Sequence, residues 1–293
     1  MSDPDHVQIS APGGLSATIA AEGAELVRLT APDGSELLWD GGAAWARHAP
    51  VLFPIVGRLA GDTLRHDGRS TRLTQHGFAR DRRFTLIERA ADRCTFRLTD
   101  DEASRAIYPF AFALDIAYAI DGLTLSVSMT AINPEAAGTD LLASLGAHPA
   151  FVWPLVPGTP KTDHRLVFEH PEPAPVRRVA GGLLTPTAHP SPIEGAILPL
   201  DEALFDDDAL ILPGPASTSV RYEGGGRALV FAWRGADTLG LWSKRGGGFL
   251  CIEPWRGHAS PEGFDGEFRD KPGVVAIPPG GRLELGWQVR LVA

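Results

Sequence analysis

The feature that most constrains the fold is a long stretch, residues 110–130, in which apolar side chains alternate with small or polar ones. The apolar positions are Phe110, Phe112, Leu114, Ile116, Tyr118, Ile120, Leu123, Leu125, Val127 and Met129. In extended chain a period of two places such side chains on one face. Asp121-Gly122 divides the stretch, and Asp-Gly is a preferred dipeptide for two-residue hairpin turns. The stretch therefore predicts an antiparallel hairpin in which Ile120 faces Leu123.

Similar short apolar runs recur along the chain, separated by Gly, Pro and Asp-Gly. They predict strands at residues 15–20, 24–30, 63–67, 69–73, 83–89, 93–99, 217–222, 228–233, 239–243, 249–254, 274–277 and 282–292. Short helices are predicted at 101–107, with Asp100 as N-cap, and at 201–205. Residues 154–160 and 171–192 are predicted to be long loops. The fold class predicted is all-β: one large antiparallel β-sandwich domain, residues 1–293, with one or two short helices.

Composition excludes several classes of function. With 44% hydrophobic residues among 293, the chain can bury a large core. Its net charge of −9 gives no basic footprint for nucleic acid. No apolar run approaches the roughly 20 residues that cross a bilayer, and the polar N-terminus has no secretory signal. The two cysteines, Cys94 and Cys251, fit no zinc-binding pattern. We therefore expect a cytoplasmic protein that binds neither nucleic acid nor membranes.

A carboxylate interrupts the apolar segment 249–255. As a strand, this segment places Glu253 on the same face as Phe249, Cys251 and Trp255. Burial disfavours the charged form of a carboxyl group, so such a residue needs a partner or a task. Two interpretations are open at this point: a structural ion pair with an arginine, or a catalytic group.

Three more polar residues occur where apolar ones are expected. Arg58 follows the apolar run 51–57, His76 precedes a glycine, and His148 ends the run 141–147. Each alone is compatible with a structural role, but two histidines, an arginine and a carboxylate together indicate general acid–base chemistry. The sequence contains no nucleophile elbow and no phosphate loop. A glycosidase, which uses two carboxylates, stays open with Asp208 or Glu262 as the second.

The segments that hold these residues resemble the aldose 1-epimerase (galactose mutarotase) family. They are Phe-Pro-Ile-Val-Gly-Arg-Leu at 53–59, Gln-His-Gly-Phe-Ala-Arg at 75–80, Gly-Ala-His-Pro-Ala-Phe at 146–151 and Cys-Ile-Glu-Pro-Trp at 251–255, in the family's order. A weaker match covers 204–211. The resemblance implies a galactose mutarotase-like sandwich that interconverts the α and β anomers of a free aldohexose, without metal or cofactor.

The resemblance also implies roles for particular residues. Glu253 would be the base that takes the C1 hydroxyl proton, and His148 the acid that protonates the ring oxygen, with the roles reversed on closure. Arg58 would also keep Glu253 ionised, and Trp242 would stack on the sugar. The residues expected to bind substrate are Arg58, His76, Asp208, Trp242 and Arg80.

Two alternative functions accompany this interpretation. Segment 75–80 also resembles hexose-6-phosphate 1-epimerases, which carry Arg-Gly-Gly-Ile-Pro upstream, where this chain has His-Ala-Pro-Val-Leu at 48–52. A phosphate pocket would then be formed by Arg80, Lys244, Arg245 and Arg256. The other alternative is a carbohydrate-binding protein without turnover. In each case the expected partner is a small-molecule sugar, and the protein is expected to be a monomer or homodimer.

Overall fold

Antiparallel β-strands are the main regular structure of the chain. A computed structural model describes residues 5–292, so residues 1–4, on which the expectation about the N-terminus partly rests, lie outside the described residues. The strands are β1 His6–Ser10, β2 Ser16–Ala20, β3 Leu26–Thr30, β4 Val51–Leu52, β5 Thr63–His66, β6 Arg69–Arg72, β7 Thr85–Arg89, β8 Arg93–Thr99, β9 Ala113–Asp121, β10 Thr124–Ile132, β11 Leu141–Ala143, β12 Leu145–Ala147, β13 Ala150–Val152, β14 Arg165–Phe168, β15 Val179–Ala180, β16 Leu183–Leu184, β17 Ile197–Pro199, β18 Leu210–Pro213, β19 Ser219–Gly224, β20 Arg227–Arg234, β21 Thr238–Trp242, β22 Phe249–Arg256, β23 Val275–Ile277 and β24 Arg282–Val292.

Helical structure is short. The α-helix α1 spans Glu102–Ile107, and its N-cap is Asp101, whose side chain accepts the Ser104 N–H, rather than the predicted Asp100. The second predicted helix is a 3₁₀ turn. The 3₁₀ segments are Ala60–Asp62, Ala79–Asp81, Glu135–Ala137, Lys161–Asp163, Glu202–Phe205 and Phe268–Asp270. Among residues 5–292, no helix has the length and apolarity needed to span a membrane.

Two large sheets face each other. One has nine strands in the order β17-β14-β19-β20-β24-β10-β9-β8-β7, and the other has six, β18-β21-β22-β12-β4 with β13 also paired to β22. Between them, Phe151 packs against Phe231 with ring centroids 5.8 Å apart, and the Tyr222 hydroxyl donates to the Val152 carbonyl over 3.0 Å. The predicted all-β antiparallel sandwich is confirmed.

The predicted hairpin is present as β9 and β10, with a different register. Ile120 pairs with Leu125 rather than Leu123, so Gly122 and Leu123, not Asp121-Gly122, are the central turn residues. Only Gly122 of these has a positive φ, +52°, which fits a type II′ turn with glycine first. Because side chains alternate with a period of two, a shift of two residues keeps every apolar side chain on the predicted face.

Strand β22 occupies the middle of the six-stranded sheet and is buried on both faces. Leu250 and Ile252 belong to the core between the sheets. The residues between and beside them face the opposite side, where Cys251 and Trp255 join separate apolar clusters. Glu253 therefore points away from the sandwich core, onto the outer face of this sheet.

Candidate active site

Glu253 and His148 are cross-strand neighbours. Strand β22 pairs with β13 at Cys251 and Ala150, and the same register continues into β12. His148 lies in the short gap between β12 and β13, directly opposite Glu253, so both side chains project from the same face. His148 Nε2 lies 3.2 Å from Glu253 Oε2, which brings together the two residues predicted to be catalytic.

Burial determines the charge of this pair. Glu253 is 1% exposed and His148 is 8% exposed. Burial raises the pKa of Glu253 well above its ordinary value, and the nearby charge of Asp208 adds to the effect. Burial also lowers the pKa of His148 to about 3. Loss of solvation disfavours both ions, so burial favours a protonated Glu253 beside a neutral His148.

Two tryptophans fix the plane of the His148 ring. Trp45 stacks on it with centroids 4.8 Å apart and an interplanar angle of 29°. Trp242 meets it edge-on, 5.7 Å away at 84°. Trp45 lies in a segment without regular structure, and its carbonyl accepts the indole N–H of Trp39 over 2.8 Å. The sequence prediction included Trp242 and missed Trp45.

His76 is held as a neutral hydrogen-bond donor. The Gly57 N–H donates to His76 Nδ1 over 3.1 Å, and the His76 N–H donates to the Gly57 carbonyl over 2.8 Å. Burial, followed by the positive charge of neighbours such as Arg80, lowers the pKa of His76 well below its usual range. A neutral imidazole whose Nδ1 accepts carries its proton on Nε2, which lies 3.4 Å from the Gln75 side-chain amide and can donate to an oxygen.

Arg80 brings a positively charged side chain to the site, and Asp208 brings a carboxylate. Arg80 Nη2 donates to the Gln75 carbonyl over 2.7 Å, while its buried Nε has no hydrogen-bond partner in the part of the chain that the structure describes and lies 3.9 Å from Asp81 Oδ2. Asp208 has a positive φ of +66°, and its Oδ1 accepts the N–H of Ala209 over 2.7 Å. Both side chains can therefore offer polar atoms to a ligand.

These residues surround a pocket of about 300 Å³, near the lower end of the volumes typical of small-molecule sites, roughly 300–1,000 Å³. Six of the seven predicted site residues line it, together with residues that the sequence prediction missed. The lining comprises Trp45, Gly57, Gln75, His76, Arg80, His148, Val179, Gly182, Asp208, Ala209, Ile211, Trp242, Glu253, Trp255 and Ala259.

Arg58 is the predicted site residue that does not line the pocket. Its guanidinium forms a two-pronged ion pair with Asp62, over 2.6 and 3.0 Å. The prediction that Arg58 keeps Glu253 ionised is wrong, because the guanidinium is held by another carboxylate and the pKa of Glu253 is raised.

The proposed phosphate pocket does not form as a four-residue cluster. Lys244 donates to a backbone carbonyl, and Arg245 and Arg256 each pair with an aspartate outside the pocket. Of the four basic residues, Arg80 alone lies among the lining residues. Glu262 is exposed and also lies outside the lining.

A segment predicted to be a plain loop supplies part of the wall. Residues 171–192 contain the two-residue strands β15 and β16, which pair with each other. Val179 and Gly182 from this small hairpin line the pocket. Trp255 also lines it, and the alternation of β22 had already placed Trp255 on the face of Glu253, so that signal was present in the sequence.

Comparison with known proteins identifies the family and fold of this chain. The sequence model of the family described as aldose 1-epimerase matches residues 5–272. The chromosomal LacX protein of Lactococcus lactis subsp. lactis is 31% identical over 269 residues, which are 88% of this chain and 90% of that protein. The solved structure of a galactose mutarotase related enzyme from Lactobacillus acidophilus superposes with a TM-score of 0.89 and 28% identity, covering 98% of this chain and 97% of the other. A galactose mutarotase-like protein from Lactobacillus casei gives 0.89 and 27%, covering 98% and 100%.

Proposed function

The chain belongs to the aldose 1-epimerase family, and we propose that it interconverts the α and β anomers of a free aldohexose by acid–base catalysis between Glu253 and His148. The observation that carries this proposal is the buried pair itself, with 3.2 Å between Nε2 and Oε2 at the wall of a small polar pocket. Ring opening needs one group that accepts a proton and one that donates a proton, and this pair supplies both.

The reaction moves one proton in each direction. On opening, Glu253 takes the proton of the C1 hydroxyl, His148 gives a proton to the ring oxygen, and the C1–O5 bond breaks to leave an aldehyde. After rotation about C1–C2, the ring closes on the other face of the carbonyl and both protons return. Each positioned acid or base contributes about 10²–10⁴-fold to such a step.

The protonation of the buried Glu253–His148 pair is compatible with this scheme. Burial favours the single proton of the pair on Glu253. A sugar hydroxyl that donates to the carboxylate stabilises its charged form, and the proton can then pass to His148 across the 3.2 Å gap. Substrate binding thus prepares Glu253 as the base.

The remaining lining residues fit the recognition of a sugar. His76 Nε2 and Arg80 donate to substrate oxygens, Asp208 accepts from hydroxyls, and Trp242 offers an aromatic face to the ring. Of the four basic residues considered for a phosphate pocket, Arg80 alone lines the pocket. We therefore propose a free aldohexose rather than its 6-phosphate as the substrate.

Anomer exchange measured by NMR tests the proposal. Wild-type protein should accelerate exchange of a free aldohexose more than that of the corresponding 6-phosphate. Glu253→Gln should lower the rate by about 10²–10⁴-fold with an unchanged near-ultraviolet circular dichroism spectrum, and Glu262→Gln, at an exposed position, should retain it. A Glu253→Gln rate near wild type would refute the mechanism. Saturable sugar binding by calorimetry without any acceleration of exchange would instead favour a carbohydrate-binding protein.

A further inference from the structure

Cys251 lies close to the site but outside the residues that line the pocket, and the proposed reaction does not use it. It lies two residues before Glu253 on the same face of β22 and is fully buried. One ligand atom each from His148, Cys251 and Glu253 lies within 4.8 Å of the other two. Among the described residues, His148 Nδ1 and Glu253 Oε2 have no hydrogen-bond partner. Three donors with different chemistry therefore converge, and the unsatisfied oxygen of Glu253 is the atom that lies 3.2 Å from His148 Nε2.

The spacing of these donors fits a tetrahedral metal ion. Two nitrogen or oxygen ligands at about 2.0–2.1 Å from zinc are about 3.3 Å apart, and His148 Nε2 and Glu253 Oε2 are separated by 3.2 Å. A sulfur at about 2.3 Å from zinc would lie about 3.6 Å from each, and the three donor atoms lie within 4.8 Å of one another. His148 and Glu253 line the pocket, from which an ion can enter.

We propose that His148, Cys251 and Glu253 form a binding site for a thiophilic divalent cation such as Zn²⁺, and that the bound ion blocks the sugar site. Binding releases the thiol proton and the Glu253 proton. The thiolate and carboxylate then balance the two positive charges of the ion, so no net charge is added to the buried site. The ion occupies both groups that move protons, so it inhibits the proposed reaction.

The chain has a second group of donors that serves as a contrast. His66, Asp67 and Glu267 also lie within 4.8 Å of one another, but Asp67 is exposed and the group contains no thiol. Soft ligands such as thiolate favour zinc and cadmium. We therefore assign the thiophilic ion to the buried group.

Metal titration tests the site directly and independently of enzyme activity. Cd²⁺ added to the wild-type protein at neutral pH should produce the ultraviolet charge-transfer band of a cadmium–thiolate bond, and calorimetry should give one tight Zn²⁺ site. Cys251→Ser should lose the band and weaken Zn²⁺ binding by more than about 100-fold, since even an outer-shell partner is worth about 10–100-fold. Glu253→Gln, which keeps the thiol, should also weaken Zn²⁺ binding.

Two control variants separate this site from other donors. Cys94→Ser removes the other cysteine, which is buried in the core between the sheets, and should leave the band and the affinity unchanged. His66→Asn should also leave them unchanged. Wild-type metal affinity in Cys251→Ser, or loss of the tight site in His66→Asn alone, would overturn the assignment.

The inhibition rests on the proposed function and is measured separately. Zn²⁺ should inhibit anomer exchange competitively with the sugar, and EDTA should restore the rate. Metal binding without any measurable exchange would contradict the proposed function and leave the site intact. Exchange that is insensitive to Zn²⁺ at concentrations that fill the site would overturn the inhibitory role.

Discussion

Replacing Glu253 with glutamine should stabilise the protein by an amount that grows with pH. In the folded chain, burial raises the pKa of Glu253 well above its ordinary value of 4.5, whereas in the unfolded chain the carboxyl group is hydrated and titrates near that value. Between these two pKa values the folded protein holds a proton that the unfolded protein has released. The free energy of unfolding therefore falls as pH rises through this window, and glutamine, which does not ionise, removes that fall.

The magnitude of this stabilisation follows from the difference in bound protons between the folded and the unfolded protein. One proton of difference corresponds to about 1.4 kcal/mol per pH unit, so the variant gains about 1.4 kcal/mol over wild type for each unit between 4.5 and the folded pKa of Glu253. His148 acts in the opposite direction, because its pKa is lowered from 6.5 to about 3. Its stabilising contribution is complete above 6.5 and is lost as pH falls towards 3. In wild type the Glu253 and His148 contributions to the slope of unfolding free energy against pH oppose each other between pH 4.5 and 6.5. Comparing Glu253→Gln with wild type isolates the contribution of Glu253.

Urea unfolding over a pH series that begins near 4.5 measures this difference, provided that the denaturant dependence stays the same in both proteins. Glu262→Gln is the matched control, since it removes a carboxylate from an exposed position and should show no such slope against wild type. A difference between Glu253→Gln and wild type that is flat with pH would refute the reasoning. A variant that becomes progressively less stable than wild type as pH rises would show that the folded protein holds Glu253 as a stabilised anion.

Two further substitutions probe the surroundings of the pair. In Gly240→Ala the new Cβ would lie 2.6 Å from the Trp255 ring, and the forced shift should cost about 1–3 kcal/mol of unfolding free energy in urea; unchanged stability would show that the ring moves freely. In Glu25→Ala the carboxylate that accepts the N–H groups of residues 48 and 49, over 2.7 and 2.9 Å, is lost. The loss should lower the free energy of unfolding by about 1.5–3 kcal/mol and speed hydrogen exchange at these two amides. Equal exchange in the variant and in wild type would contradict an anchoring role for Glu25.

Local periodicity explains what could be predicted from the sequence. The alternation that places Glu253 beside Cys251 and Trp255 is a property of a single strand, so it survives any arrangement of the partners. The hairpin register depended on the turn as well, and the turn forms one residue later than Asp-Gly suggests. That error left the buried face unchanged, because the shift is an even number of residues.

The pairing of distant segments explains which parts of the site could not be predicted from the sequence. His148 lies opposite Glu253 because β12 and β13 both pair with β22, more than 90 residues further along the chain, and no local pattern records that register. The same pairing brings Cys251 close to His148, which spacing along the sequence cannot indicate. Arg58 was misassigned for a local reason: Asp62, four residues later, holds its guanidinium. Trp45 lies in a loop, where no periodicity identifies a side chain that faces the site.

The desolvation that destabilises the Glu253–His148 pair also makes it suited to the proposed reaction. A carboxyl and an imidazole 3.2 Å apart can hold one proton between them as an uncharged pair or as an ion pair, with no change in net charge. Burial disfavours the ion pair, so in the proposed reaction the basic carboxylate forms when a sugar hydroxyl donates to it. Such a carboxylate has lost its water and is a stronger base than an exposed one. Loss of activity and gain of stability in Glu253→Gln should therefore occur together, since both follow from the burial of one carboxyl group.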